Sequence, residues 1–184
     1  MIPVSRLILS IRYALRDMQG ASFSDFEIVE ALNRAAALLY QRMGERFVHA
    51  ALRRTLLLME QGEAMLPSDF HNVYKVSVEG DGRDPATLKV CPVQYRIADH
   101  RFYAPGEAYV LEYYRMPQTV AAATDALDAP LAVSPYLERC ALALLNGDMA
   151  GAEAAAEACC RSLAAAEFSH LTDDGPVKVL GGTL

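Results

Sequence analysis

The hydrophobic period of this chain changes twice, from about 3.6 residues to two near residue 50 and back to 3.6 near residue 118. Helical spacing buries a stripe of a cylinder, whereas two-residue spacing buries one face of a sheet. A chain carrying both, in that order, is α+β, and its helices must find partners across the β stretch.

In the first stretch Val4, Leu7, Ile8, Ile11, Leu15 and Met18 fall on one helical face, with Pro3 near the start and Gly20 just past the expected end. Ser24-Asp25-Phe26-Glu27 then has the S-x-x-E form of a capping box, with Phe23 placed to staple onto Ile28. Val29, Leu32, Ala36, Leu39 and Met43 continue a stripe as far as Gly44, a second helix of about five turns. Between Ala51 and Pro117, Tyr74, Val76 and Val78 alternate with Lys75 and Ser77, and Tyr109, Leu111 and Tyr113 with Val110, Glu112 and Tyr114. Turn residues at Glu60-Gln61-Gly62, Gly80-Asp81-Gly82 and Pro105-Gly106 separate these runs, and Pro67-Ser68-Asp69-Phe70 reads as a tight corner. One small antiparallel sheet joined by hairpins is predicted.

Ser134 as a cap with Pro135 at the first helical position announces a third helix, whose apolar face is Tyr136, Leu137, Ala141, Leu144 and Leu145. Asp148 caps a final, alanine-rich helix to about His170. The predicted layout is a helical bundle from residues 1–48 and 118–171, an inserted antiparallel β lobe at 49–117, and an extended C-terminal tail at 172–184.

The chain's 184 residues suffice for a core that buries roughly 70% of the unfolded surface without staples. Cys91, Cys140, Cys159 and Cys160 show neither a C-x-x-C pair nor zinc-ligand spacing, so reduced thiols in a cytoplasmic compartment are expected. Arg6, Arg12 and Arg16 interrupt the early apolar stretch, which reads as neither signal peptide nor membrane span. A net charge of -6 opposes an electrostatic grip on nucleic acid or an anionic membrane. The one adjacent basic pair, Arg53-Arg54, reads as solvated surface.

Signatures of known chemistry are missing: no nucleophile elbow, phosphate loop, dinucleotide fingerprint or H-E-x-x-H motif. His49, His71, His100 and His170 lie in different elements without ligand spacing. Asp125 and Asp128 read as loop caps rather than a cation site or acid/base pair. Cys159-Cys160 reads as two buried fillers, and the six tyrosines from Tyr74 to Tyr114 as packing rather than a base-stacking platform. No catalytic, cofactor-binding or metal-binding residue is expected.

The order of the motifs carries further information. Phe23-Ser24-Asp25-Phe26-Glu27-Ile28-Val29-Glu30-Ala31-Leu32-Asn33-Arg34-Ala35 resembles the F-S/T-D-x-E-I/L-x-x-x-L-N-x-A signature near the start of many head-tail connector (adaptor) proteins of tailed bacteriophages. Leu66-Pro67-Ser68-Asp69-Phe70 is similar to the L-P-x-D-F corner of connectors that carry a β insertion, and Val110 to Pro117 to their closing L-x-Y-Y-x-x-P strand. Asp125 to Pro130 and Asn146-Gly147-Asp148-Met149-Ala150 follow in the same order, so the resemblance spans roughly residues 5–170.

The resemblance implies a structural subunit, not an enzyme, made in the host cytoplasm and resident at the portal vertex of the virion. It implies a ring, expected to be dodecameric, that binds the portal protein, closes the DNA-filled capsid and offers a platform to a tail or nozzle protein. Packaged DNA would pass through the lumen without sequence-specific binding. No cofactor or membrane anchor is implied. The apolar run Val177, Val179 and Leu180 in the tail is the candidate docking element for the portal or a neighbouring copy. Two other classes remain open: a small-molecule or peptide-binding module with a tyrosine-lined pocket, and a hydrolase built on Asp125, Asp128 and a histidine. A deep apolar cavity in a monomer favours the first, and convergence of those residues on one cleft the second.

Overall fold

A computed structural model describes residues 1–78 and 93–173, with side chains as far as residue 166. Among the described residues the fold is α+β, with four helices and small antiparallel sheets. Along the chain run β1 (Ile2–Pro3), α1 (Val4–Leu15), α2 (Asp25–Glu45), β2 (Leu52–Leu58), β3 (Glu63–Met65) and β4 (Phe70–Val78). After these come β5 (Arg96–Ala98), β6 (Arg101–Tyr103), β7 (Ala108–Arg115), β8 (Ala126–Leu127), α3 (Ser134–Leu145) and α4 (Met149–Asp173). Two compact units result, one from residues 1–50 with those from 120 onward, the other from residues 51–119.

In the helical unit α1 turns Val4, Leu7, Ile8 and Ile11 inward, as its spacing predicts. It ends earlier than the expected stop at Gly20, with Arg16 in the left-handed region (φ 55°) and its amide bonded to Arg12 and Tyr13 carbonyls. The apolar period breaks at Asp17, so Met18, placed on the stripe by spacing alone, is exposed. α2 carries the full capping box and buries Ile28, Val29, Leu32, Ala36, Leu39 and Met43. Gly44 does not end it, since the helix runs on to Glu45.

Ser134 does not cap α3. A 3-10 turn at Leu131–Val133 leads directly into the helix, the cap position falls on Val133, and the Ser134 hydroxyl donates to Glu138 (3.4 Å) instead. Pro135 accordingly falls at the second helical position rather than the first, still within the opening turn where its missing N–H costs nothing. The buried face is Leu137, Cys140 and Ala141. At the next junction the Asp148 carboxylate accepts the Gly151 amide (2.9 Å), the cap its position predicts for α4.

α4 presents Ala152, Ala156, Cys159 and Cys160, small side chains that permit close helix approach. It packs on α2 and α3, and α1 packs on α2 and α3 as well. A two-residue ribbon pairs Ile2 with Leu127, both fully buried. α4 extends to Asp173, so Thr172 and Asp173, expected in an extended tail, are helical. The rest of that tail, with Val177, Val179 and Leu180, lies outside the described residues, as do the Gly80-Asp81-Gly82 turn and Cys91.

In the β unit the single expected sheet is two three-stranded antiparallel sheets, ordered β2-β7-β4 and β3-β6-β5. The Gln61-Gly62 turn (φ 55° and 84°) and the Pro67 corner divide the strand-forming run, and the short piece between them pairs with β6. β7 is the centre of the first sheet and alternates as predicted as far as Tyr113, with Tyr109, Leu111 and Tyr113 entering a core of Leu57, Leu66, Phe102 and Ala104; Tyr114 and Arg115 are buried as well, so both faces are covered at its end.

β4 does not alternate as predicted. Register shifts between Phe70 and Asn72 and between Val73 and Lys75 insert unpaired residues, so Phe70, Val73 and Val76 reach the core at three-residue spacing. Tyr74 and Val78, expected on the face of Val76, are exposed, and the Tyr74 ring meets Tyr114 edge-on at 5.8 Å.

Candidate functional site

The residues that carry the connector resemblance form two hydrogen-bonded nodes, one in each unit. In the helical unit Ser24 Oγ accepts the Glu27 amide (3.3 Å), while the Ser24 amide and hydroxyl both donate to Glu27 Oε2 (2.8 Å each). Those bonds from Ser24 hold the Glu27 carboxyl below the usual carboxylate range. Asp25 receives Arg12 through two guanidinium nitrogens (2.5 and 3.2 Å), and Arg12 also donates to the carbonyls of Asp17 and Phe23. Leu32 is fully buried and Phe23 half-buried.

Asn33 does the most far-reaching work: its Nδ2 donates to the Val120 carbonyl (2.8 Å) and its Oδ1 accepts the Val120 amide (2.9 Å). That two-way brace satisfies both backbone groups of one residue, at the point where the chain re-enters the helical unit.

In the β unit the corner closes with the Phe70 amide donating to the Pro67 carbonyl (3.0 Å), and Leu66 enters the core. Asp69 is the hub. Its carbonyl accepts the Met116 amide (2.8 Å), its Oδ1 accepts the Tyr113 hydroxyl (2.8 Å), and its Oδ2 lies 3.2 Å from Arg53 Nη1. Arg53 is therefore not the bare solvated cation that its sequence position suggested. Burial, then the Asp69 bond and charge, push the Tyr113 phenol up to about 12, so at neutral pH it stays a donor. The Phe70 ring lies 5.8 Å from that of Tyr113.

Side chains with chemical potential are otherwise engaged in structure or kept apart. Burial pushes the Cys140 thiol up to about 11 and, with the neighbouring thiols, Cys159 to about 12. Burial raises Cys160 as well. These thiols are protonated fillers at neutral pH, not nucleophiles.

Asp125 Oδ2 accepts the amides of Ala121 (2.8 Å) and Ala122 (3.0 Å), which hold its carboxyl below the usual range, and the Asp128 carbonyl accepts the Tyr40 hydroxyl (3.2 Å). The Asp125 carboxylate thus caps its own loop, whereas the Asp128 backbone ties to α2. His49 sits in a 3-10 turn, His71 on β4 and His100 in the β5–β6 turn; the His170 side chain is outside the described ones. Among the described residues no group of three or more His, Cys, Asp or Glu is placed to hold a metal ion, and no helix is long and apolar enough to cross a membrane.

Sequence reasoning missed Asp17. Its carboxylate, buried two residues beyond α1, collects the amides of Ala21 (2.7 Å), Ser22 (3.0 Å) and Phe23 (3.1 Å). The available signal was an aspartate standing where the apolar period stops and a loop begins. The Ser10 hydroxyl donating to Glu138 (2.6 Å) between α1 and α3 had no local signal at all.

Surface cavities of about 310, 410 and 500 Å³ are among those lined by the described residues. That of about 500 Å³ is a shallow, open depression in the β unit between Gln94, Tyr95, Arg96 and Tyr103, with the Arg96 guanidinium 4.6 Å over the Tyr103 ring. No family model matches this chain, and no curated protein matches it.

Proposed function

We propose that this chain is the structural subunit of a phage head-tail connector: a bundle of four helices with the β unit as an inserted lobe, assembling into a ring beneath the portal. The observation that carries the reading is the coincidence of motif and brace. Ser24, Glu27 and Asn33, three of the polar residues through which the chain resembles connectors, hold backbone in place with their side chains, while Asp25 and Asp69 bond to the side chains of Arg12 and Tyr113.

The role so proposed is non-catalytic. The portal protein would lie on one side and a tail or nozzle protein on the other, with DNA passing through the lumen of a virion-resident ring. An acidic subunit suits that lumen, because repelled phosphate slides rather than sticks. The segment holding Val177, Val179 and Leu180 would dock on the portal or on an adjacent copy.

Native mass spectrometry with negative-stain imaging tests the ring directly. A closed cyclic assembly of about twelve copies, with subunits joined head to tail, is the expected result. A strictly two-fold dimer, or a monomer at every concentration, overturns it.

A further inference from the structure

The α1 helix is apolar on both sides. Opposite its buried face it exposes Leu9 (57%) and Tyr13 (79%), and on the same side stands Arg6, with Arg16 following as the C-cap, both exposed. At roughly 100° per residue Arg6, Leu9 and Tyr13 span only about 60° of the helix circumference. No acidic residue falls in that arc, and neither arginine has an ion-pair partner among the described residues. A solvated helix face has no need of a large aliphatic and an aromatic side chain between two cations; such a patch is typical of a contact surface.

The complementary surface is on the same unit. The first two turns of α2 expose Phe26 (69%) with Glu27 and Glu30. Asp25 marks the side of α2 that meets α1, through its bonds to Arg12. Glu27 and Glu30 stand roughly 200° and 140° around the helix from it, so they point away from α1. One protomer therefore carries two different faces, one apolar and basic, the other apolar and acidic.

We infer that the α1 face of one copy docks on the α2 face of the next, Leu9 and Tyr13 packing on Phe26 while Arg6 and Arg16 meet Glu27 and Glu30. A contact between unlike faces is heterologous, so repeating it closes a ring or extends a fibre and cannot stop at a two-fold dimer. The inference rests on the ring reading above and names the surfaces that build it. Two helix faces alone bury less than the roughly 800 Å² per partner of a standard interface, so they act as the specificity-setting part of a larger contact.

Arg6→Glu is the first test, read by sedimentation and circular dichroism. It should leave the helical signal unchanged and raise the concentration for half-assembly about tenfold or more, and Glu30→Arg in the same chain should restore assembly. In a Cys91→Ala background, Tyr13→Cys and Phe26→Cys proteins should each fail to cross-link alone, yet form disulfide dimers when mixed and co-assembled. Rings that persist unchanged in Arg6→Glu, or Tyr13→Cys cross-linking to itself, overturn this interface while leaving the ring standing. A wild-type monomer at every concentration overturns the interface and the ring together.

Discussion

Asn33 joins residues 87 positions apart, offering Val120 both a donor and an acceptor from one amide side chain. Val120 is nearly buried, so water is poorly placed to replace either bond. Asn33→Ala leaves an amide and a carbonyl orphaned together, and a cost of about 1–3 kcal/mol is expected. Urea unfolding checks it. Asn33→Asp, which keeps an acceptor for the Val120 amide and loses the donor to its carbonyl, should fall between alanine and wild type. Equal stability of all three proteins would deny the brace its role. Motif resemblance singled Asn33 out, but nothing within a few residues of it discloses a partner at position 120.

At the scale of elements, β7 and the Pro67–Phe70 corner explain each other. The corner puts the Asp69 carboxylate where the Tyr113 hydroxyl can donate to it, and the Asp69 carbonyl where it receives Met116, so the end of the central strand is tied to the start of β4. Tyr113→Phe keeps the ring in the core and removes only the hydroxyl, leaving Asp69 with Arg53. A loss of about 1–2 kcal/mol is expected, with strand content by circular dichroism unchanged. If Asp69→Asn added nothing to the Tyr113→Phe loss, the carboxylate would matter only through the hydroxyl; the ion pair with Arg53 predicts a further, salt-sensitive loss. The corner itself and the β7 alternation are legible in the sequence. The double bulge of β4 is not, because a bulge is set by which partner residues the neighbouring strand offers.

For the molecule as a whole, acid is the informative perturbant. In the helical unit the Asp17 carboxyl is raised by burial but pulled further down by the amides of Ser22, Phe23 and Ala21 and by Arg12, so it lies below its ordinary 3.8. Glu27 lies below 4.5 and Asp125 below 3.8 for the hydrogen-bonding reasons given above. Each therefore ionises more readily folded than unfolded. Their stabilisation is complete above about pH 5 and is lost as pH falls through the folded values. Thermal melts should show a plateau above about pH 5 and a decline below it, and Asp17→Asn should lower the plateau and flatten the decline. Stability that rises on acidification, or a decline unaltered by Asp17→Asn, would contradict this account.

What the sequence by itself determined is whatever neighbours along the chain decide. The two changes of period, the Ser24–Glu27 box, the Asp148 cap, the Gln61-Gly62 turn and the Pro67 corner each involve residues a few positions apart, whose preferences act before any tertiary contact forms. The tertiary structure decided what depends on distant partners: two sheets rather than one, the bulged face of β4, the early end of α1, and the brace from Asn33 to Val120. The physical reason is desolvation. A buried amide, carbonyl or carboxylate must be satisfied by whichever group the fold brings to it, and the identity of that group is not written near it in the chain.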